Sequence, residues 1–312
     1  MKLRNTILSV LIAASCVLSA GCSSNSTSDA DSSNSTAAPG ASLTTTESNG
    51  DSTSDSGNSV VTAATGLSTT GKGNINMELK AGDTIAEITI EGYGTIKAKL
   101  LPEVAPKGVD NFIKLADKGY YDGKTIHRVV ADFMLQGGSE NGDGTGGEAA
   151  DGGYFGVEPN TNARHFYGAL CYANAMGRNT TQFYIVNNND PQDLDDIPLD
   201  VVQSNAEAFA SYKMMCEKGT TEYEYYANME SYYTNLGKMI SAATAEVKAQ
   251  YTAEGGTPSL DGGYTVFGQV YEGFDVIDSI SACDVVVNSS GELSQPVQTI
   301  TITSVKISEY AG

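Results

Sequence analysis

The chain has 312 residues, with 38 acidic against 18 basic side chains, a formal charge of −20 and no tryptophan. So large an acidic excess argues against a nucleic-acid partner and against a polybasic membrane-binding face. Five cysteines without a CxxC pair, and only two histidines, His127 and His165, argue against a zinc site and against a disulfide framework.

In chain order, Lys2 and Arg4 precede an apolar run from Ile7 to Leu18, too short to span a bilayer comfortably and ending in Ser19-Ala20-Gly21-Cys22. This reads as a secretory leader over 1–21 with a lipobox, so that Cys22 is lipidated and the chain is held outside the cytoplasmic membrane by a lipid anchor. Simple cleavage and secretion, or an uncleaved anchor, are the alternatives. Residues 22–74 are dominated by Ser, Thr, Asn, Asp, Ala and Gly and cannot bury enough surface to offset chain entropy. They read as a disordered tether with a reach of roughly 40 Å.

The expected folded part spans 75–312. Ala86, Ile88 and Ile90, then Ile96, Ala98 and Leu100, alternate with polar residues on either side of Gly92-Tyr93-Gly94, which predicts a hairpin with glutamates facing lysines. Pro106 followed by Val109, Phe112, Ile113 and Ala116 predicts a helix over about 104–118. The stretch 127–138, His-Arg-Val-Val-Ala-Asp-Phe-Met-Leu-Gln-Gly-Gly, reads as a strand with a bend at Asp132 that brings Arg128, Phe133, Met134 and Gln136 to one concave surface. The glycine-rich segment 142–147 lacks the Gly-Lys-Ser/Thr ending and the following helix of a phosphate loop, and reads as a shaped loop beside a groove. Strands are expected at 168–175, 181–186 and before Gly268. A second helix follows from Phe274, Ile277 and Ile280, and a closing strand from 298–307. In the last of these the parity switches between Ile302 and Val305, which predicts a β-bulge near Thr303 or Ser304.

Between these strands, about 199–256 is rich in Ala, Glu, Lys, Met and Tyr and reads as a helical insertion, split into three helices at Gly219 and Gly237. Phe209, Tyr212 and Met215 or Cys216 form one apolar stripe. Tyr223, Tyr225, Tyr226, Tyr232 and Tyr233 either pack these helices together and onto the sheet or present a partner-binding face.

Several motifs, in order, resemble the cyclophilin family of peptidyl-prolyl cis/trans isomerases: Ala105-Pro106 before Asn111-Phe112, His127-Arg128-Val129, Phe133 to Gly138, Gly144 to Gly147, Ala173-Asn174-Ala175, Gln182 to Ile185, Leu260-Asp261-Gly262 and Val266-Phe267-Gly268. The resemblance implies a mainly β fold, a closed eight-stranded antiparallel barrel capped by two helices and interrupted here by the helical insertion. It implies prolyl isomerisation without a cofactor or metal, on proline-containing unfolded or exported polypeptides. Arg128 matches the family's catalytic arginine, which donates a hydrogen bond to the prolyl nitrogen. Phe133, Met134, Leu260 and Tyr184 match the proline pocket, Gln136 and Asn174 the groups that hold the substrate backbone, and Gly144, Ala173, Ala175 and Gln182 positions that shape the groove. Tyr264 stands where a pocket histidine is common, Ser259 where tryptophan is frequent, and Tyr184 where phenylalanine is usual. His127 and His165 are expected to be structural.

An arginine suits this chemistry. Rotation about a peptide bond climbs about 18 to 20 kcal/mol because nitrogen shares its lone pair with the carbonyl. A permanently charged donor aimed at that nitrogen favours the twisted state over both planar ones. The expected function is folding of exported proteins; the alternative is a chaperone or peptide-binding module with weak isomerase activity, gripping clients with the insertion.

Overall fold

The computed structural model describes residues 78–312, so the expected leader, the Cys22 lipidation site and all of the expected 22–74 tether lie outside the described residues. Strands β1 (Thr84–Ile90) and β2 (Gly94–Leu100) form the expected hairpin, with Glu87 opposite Lys97 and Thr89 opposite Thr95. Every second residue is buried because one face carries the apolar set. Lys99 departs from the simple picture: it is buried and bonds Asp83 at 2.7 Å.

Strands β3 (Ile126–Val130), β4 (Met134–Gly137), β5 (Phe155–Gly156), β6 (Ala169–Ala175), β7 (Arg178–Val186), β8 (Val266–Glu272) and β11 (Ile302–Glu309) complete one sheet with β1 and β2. Its order is β11-β1-β2-β8-β6-β7-β4-β3, with β5 beside β7. Strands β9 (Val285–Val287) and β10 (Leu293–Pro296) form a separate two-stranded ribbon.

The sheet is antiparallel and curled but does not close, which corrects the expected closed eight-stranded barrel. Its end strands β3 and β11 meet through one bridge, Thr125 to Thr301, and a few backbone bonds such as Ile126 N–H to Ile300 at 2.9 Å. The reason lies in the path of the chain: residues 300–302 touch the β3 edge only where they cross it, and from Ile302 onward the strand is paired along its length with β1. The predicted bulge is present, since Thr89 pairs with Ser304 and Ile90 with Ile302, leaving Thr303 as the extra residue.

Helix α1 (Pro106–Asp117) starts on proline and packs its apolar face on β7, β8 and β11. Phe112 is fully buried among Tyr121, Phe183 and Phe267. Helix α5 (Phe274–Ser281) covers β2, β3 and β4.

The helical segment comprises α2 (Leu199–Met214), α3 (Thr221–Ser241) and α4 (Ala245–Glu254). Gly219 separates α2 from α3 as expected, but Gly237 does not divide the next pair. It lies inside α3, buried against Val202 and Leu199, and the break falls at Thr244, whose hydroxyl accepts from Val247 N–H and caps α4. The expected stripe is loose: Phe209 stacks on Tyr233 at 5.5 Å, whereas Tyr212 and Met215 are exposed. Tyr212, Tyr226 and Phe209 form a ring cluster between α2 and α3, and Tyr232 is buried, so most of these rings serve packing.

Candidate active site

The stretch around Arg128 is a tight hairpin rather than one bent strand. Asp132 takes φ 56°, a left-handed conformation that aspartate tolerates better than branched residues, and the chain reverses completely there. Arg128 thereby faces Gln136, and Val130 faces Met134, across the β3–β4 ladder. Shared parity, not a bend, puts Arg128, Met134 and Gln136 on one face. The turn is latched by Asn187: its side-chain oxygen accepts from Phe133 N–H at 2.7 Å, and its amide donates to Val130 O and to Ser281 Oγ.

Arg128 is held from three sides. Its Nη1 donates to Gln136 Oε1 at 3.2 Å and lies 3.7 Å from Met134 Sδ, while its guanidinium carbon stands 5.9 Å from the Phe133 ring centre. Nε and Nη2 both donate to the Glu292 carboxylate, each at 2.6 Å. The chain of bonds continues from Gln136 Nε2 to Gln182 Oε1 at 3.0 Å and from Gln182 Nε2 to the Gly144 carbonyl at 2.9 Å. Gly144 has φ +91°, so the loop comes close to the His127 ring without a side chain.

The apolar candidates gather in the same core cluster. Met134, Leu260 and Tyr184 are buried in it, and Phe133, Ala173 and Tyr264 pack against it from partly exposed positions. Tyr184 lies opposite Gln136 on β7 and meets Tyr264 edge-on at 5.9 Å. Asn174 sits on β6 opposite Asn179, and its side chain is already engaged, donating to Gly263 O at 3.2 Å and accepting from Gly177 N–H. Ala175 lies at the far end of β6, opposite Arg178, beside a two-residue turn in which Met176 and Gly177 both have positive φ. That turn starts β7 at Arg178, earlier than the sequence pattern suggested.

Behind Leu260 and Tyr184 runs a buried polar network. Asp261, next to Leu260, accepts from Arg164 Nη1 at 3.0 Å, from His165 N–H at 2.9 Å and from Tyr251 OH at 2.8 Å, and its Oδ1 lies 2.9 Å from His165 Nδ1. His165 Nε2 lies 2.9 Å from the Tyr184 hydroxyl, so the network reaches Tyr184, opposite Gln136. Burial holds the Tyr184 phenol well above its ordinary pKa, keeping it protonated. Helices α3 and α4 take part: Arg164 Nη2 donates to Met239 O, and Tyr251 belongs to α4. Tyr232 of α3 donates to Ser259 O and lies against Gly263, where an added Cβ would come within 2.1 Å of its ring. The helical segment is thus built into the wall that carries Leu260 and Tyr264.

His127 is the extra residue of a bulge in β3, with both ring nitrogens buried. Burial, reinforced by the neighbouring Arg128 charge, outweighs the Thr125 backbone and Asp143 and lowers its pKa to about 4, so it is neutral at neutral pH. The ring nitrogens of both histidines are buried, those of His165 within the Asp261 network and those of His127 beside the Gly144 loop. Sequence reasoning missed two residues. Asn187 follows the expected 181–186 strand and carries no local motif that marks it. Glu292 was not singled out, although Val285-Val286-Val287, Asn288-Ser289-Ser290-Gly291 and Leu293 carry a hairpin signal.

Residues 85–307 match a family model described as cyclophilin type peptidyl-prolyl cis-trans isomerase/CLD. A Staphylococcus saprophyticus protein named "Putative peptidyl-prolyl cis-trans isomerase" is 36% identical over 241 residues, covering 77% of this chain and 100% of its own. A Staphylococcus aureus protein with the same name is 34% identical, covering 75% of this chain and 97% of its own. Among solved structures, a Cryptosporidium parvum cyclophilin type isomerase crystallised in the presence of the dipeptide Ala-Pro is similar at a TM-score of 0.45, with 22% identity over 72% of this chain and 98% of its own. The chain belongs to the cyclophilin-type peptidyl-prolyl cis-trans isomerases.

Proposed function

We propose that Arg128 lowers the barrier by donating to the prolyl nitrogen as the peptide bond twists, with Phe133, Met134, Leu260, Tyr184 and Tyr264 enclosing the ring and Gln136 aligning the peptide. The observation that carries this reading is the crowding of Arg128 by Met134 and Gln136 on one hairpin face. Three of its contacts are strong and oriented, one N–H of Nη2 is left over, and the contact to Met134 sulfur is weak enough for a substrate to replace. The ground states keep nitrogen planar and poor as an acceptor. In the twisted state the lone pair is localised, so the same donor binds it more tightly, which is what lowers a barrier. A protease-coupled peptide assay on the soluble domain tests it: Arg128→Ala is expected to lose roughly a hundredfold or more of the catalysed rate. An undiminished rate would remove Arg128 from the mechanism.

The leader motif supports export and anchoring through Cys22, and hence action on proline-containing polypeptides folding outside the cytoplasmic membrane, where slow X-Pro steps limit folding. Mass spectrometry of the mature N-terminus tests the anchor: an unmodified Cys22 rules it out. A second reading, client holding, is favoured by Met214 and Met215, which are 84% and 78% exposed at the end of α2. Their replacement by serine leaves the buried wall intact, so unchanged suppression of client aggregation would exclude that role for α2.

A further inference from the structure

The Arg128 guanidinium shares its most directional contact with a residue outside the hairpin that carries it. Glu292 reaches Nε and Nη2 together, at 2.6 Å each, in the side-on bidentate geometry that fixes both the plane and the rotation of a guanidinium. Both side chains are mostly removed from water, 18% and 19% exposed. Taking an ion pair that far out of solvent returns little or no net stability, because desolvation offsets the Coulomb gain. The pair therefore calls for a reason other than stability.

The loop before Glu292 is built to present it. Asn288 Oδ1 accepts from Ser290 N–H, Ser290 Oγ and Glu292 N–H, the Asn288 amide donates to Ser294 Oγ, and Asn288 N–H bonds the Glu292 carbonyl at 2.8 Å. The buried Ser294 lies two residues on, with Glu292 on the inward parity of β10, while Leu293 points out. The ribbon packs on the fold through β10 against β3 and through Val285 on the core, while Val286, Val287 and Leu293 are exposed.

We propose that Glu292 is a positioning residue for isomerisation: it locks the Nε–Nη2 edge of Arg128 so that the Nη1–Nη2 end, steadied by Gln136, faces the prolyl peptide. This rests on Arg128 being the donor in the twisted state. An arginine free to rotate would spend part of the peptide's binding energy on being ordered, and the loss would fall on the twisted state more than on the planar ones.

The experiment measures the exchange rate of a bound Ala-Pro peptide and its Kd separately, by NMR exchange spectroscopy, in the native protein and in Glu292→Gln, Glu292→Asp, Arg128→Ala and Arg128→Lys. Glu292→Gln keeps the size but replaces an acceptor oxygen with a donor facing Arg128. Its bound exchange rate is expected to fall roughly tenfold with Kd changed less than about threefold, Glu292→Asp recovering part of the loss. In an Arg128→Lys background, the Gln substitution is expected to add less than about twofold, because the edge it serves is gone. Native-like exchange in Glu292→Gln, or a defect confined to Kd, overturns the proposal while leaving Arg128 in place. A rate above the native one also overturns it, by making Glu292 a restraint on Arg128 instead of its support. Native exchange in Arg128→Ala removes the underlying reading. Urea unfolding midpoints of each variant separate a lost fold from a lost orientation.

Discussion

Tyr251, in helix α4, donates its hydroxyl to Asp261 at 2.8 Å, one residue beyond Leu260. Asp261 also receives Arg164 and His165, so helix α4 and the 164–165 segment share one buried carboxylate beside Leu260. Tyr251→Phe removes a hydrogen bond to a buried charged acceptor, and is expected to cost about 1.5 to 3 kcal/mol of stability. Urea denaturation measures it. A change within about 0.5 kcal/mol would mean that the Tyr251 hydroxyl contributes nothing to holding Asp261.

Tyr184 carries its hydroxyl away from the arginine, onto His165 Nε2. The ring is buried in the core cluster with Met134 and Leu260, and the hydroxyl joins the Asp261 network through His165. Tyr184→Phe is therefore expected to lower stability by about 1 to 2 kcal/mol, by leaving a buried histidine nitrogen without its partner, and to leave kcat/KM for a short Ala-Pro peptide within about threefold. A large loss of turnover with unchanged stability would show that the hydroxyl acts on substrate.

His127 gives the acid sensitivity a definite window. Its folded pKa of about 4 lies below its ordinary 6.5, so between those values the unfolded chain takes up a proton that the folded one refuses. Stability from this group is fully present above pH 6.5 and is lost as pH falls toward 4, by about 2 to 3 kcal/mol. Arg128 and Asp143 face the ring with opposite sign, and the Thr145 hydrogen bonds hold the Asp143 carboxyl below its ordinary pKa. His127→Gln is expected to flatten this part of the profile when urea midpoints at pH 7.5 and 4.5 are compared. An identical drop in native and variant proteins would assign the sensitivity to other groups.

Gly237 lies in the interior of α3 with ordinary helical backbone, and an added Cβ would meet Val202 and Leu199 at 3.6 and 3.9 Å, normal contact distances. Gly237→Ala is expected to raise stability by about 0.5 to 1 kcal/mol, by reducing the freedom of the unfolded chain. A lowered thermal midpoint would show that the α2–α3 contact has no room for the methyl.

Legibility differed by feature. The β1–β2 hairpin, α1, α5 and the Thr303 bulge were readable because each depends on side-chain periodicity within a few residues, and periodicity is a local property. Gly237 misled because a glycine in a helix can reflect either a break or a close helix contact, and only the neighbour shows which. The 127–138 stretch was half readable. Parity marked Arg128, Met134 and Gln136 as one face, whereas the full reversal depends on Asp132 accepting a positive φ while Asn187, far along the chain, latches the turn.

By itself the sequence determined the family, through motifs that recur in order, and it determined which residue types surround Arg128. Only the tertiary structure decided that the sheet stays open, that α3 and α4 bond the buried Arg164 and Asp261 beside Leu260, and that Arg128 is gripped by Glu292, 164 positions away. Each of these depends on where distant segments meet. A hydrogen bond is made at about 3 Å or not at all, and no composition or spacing along the chain records that distance.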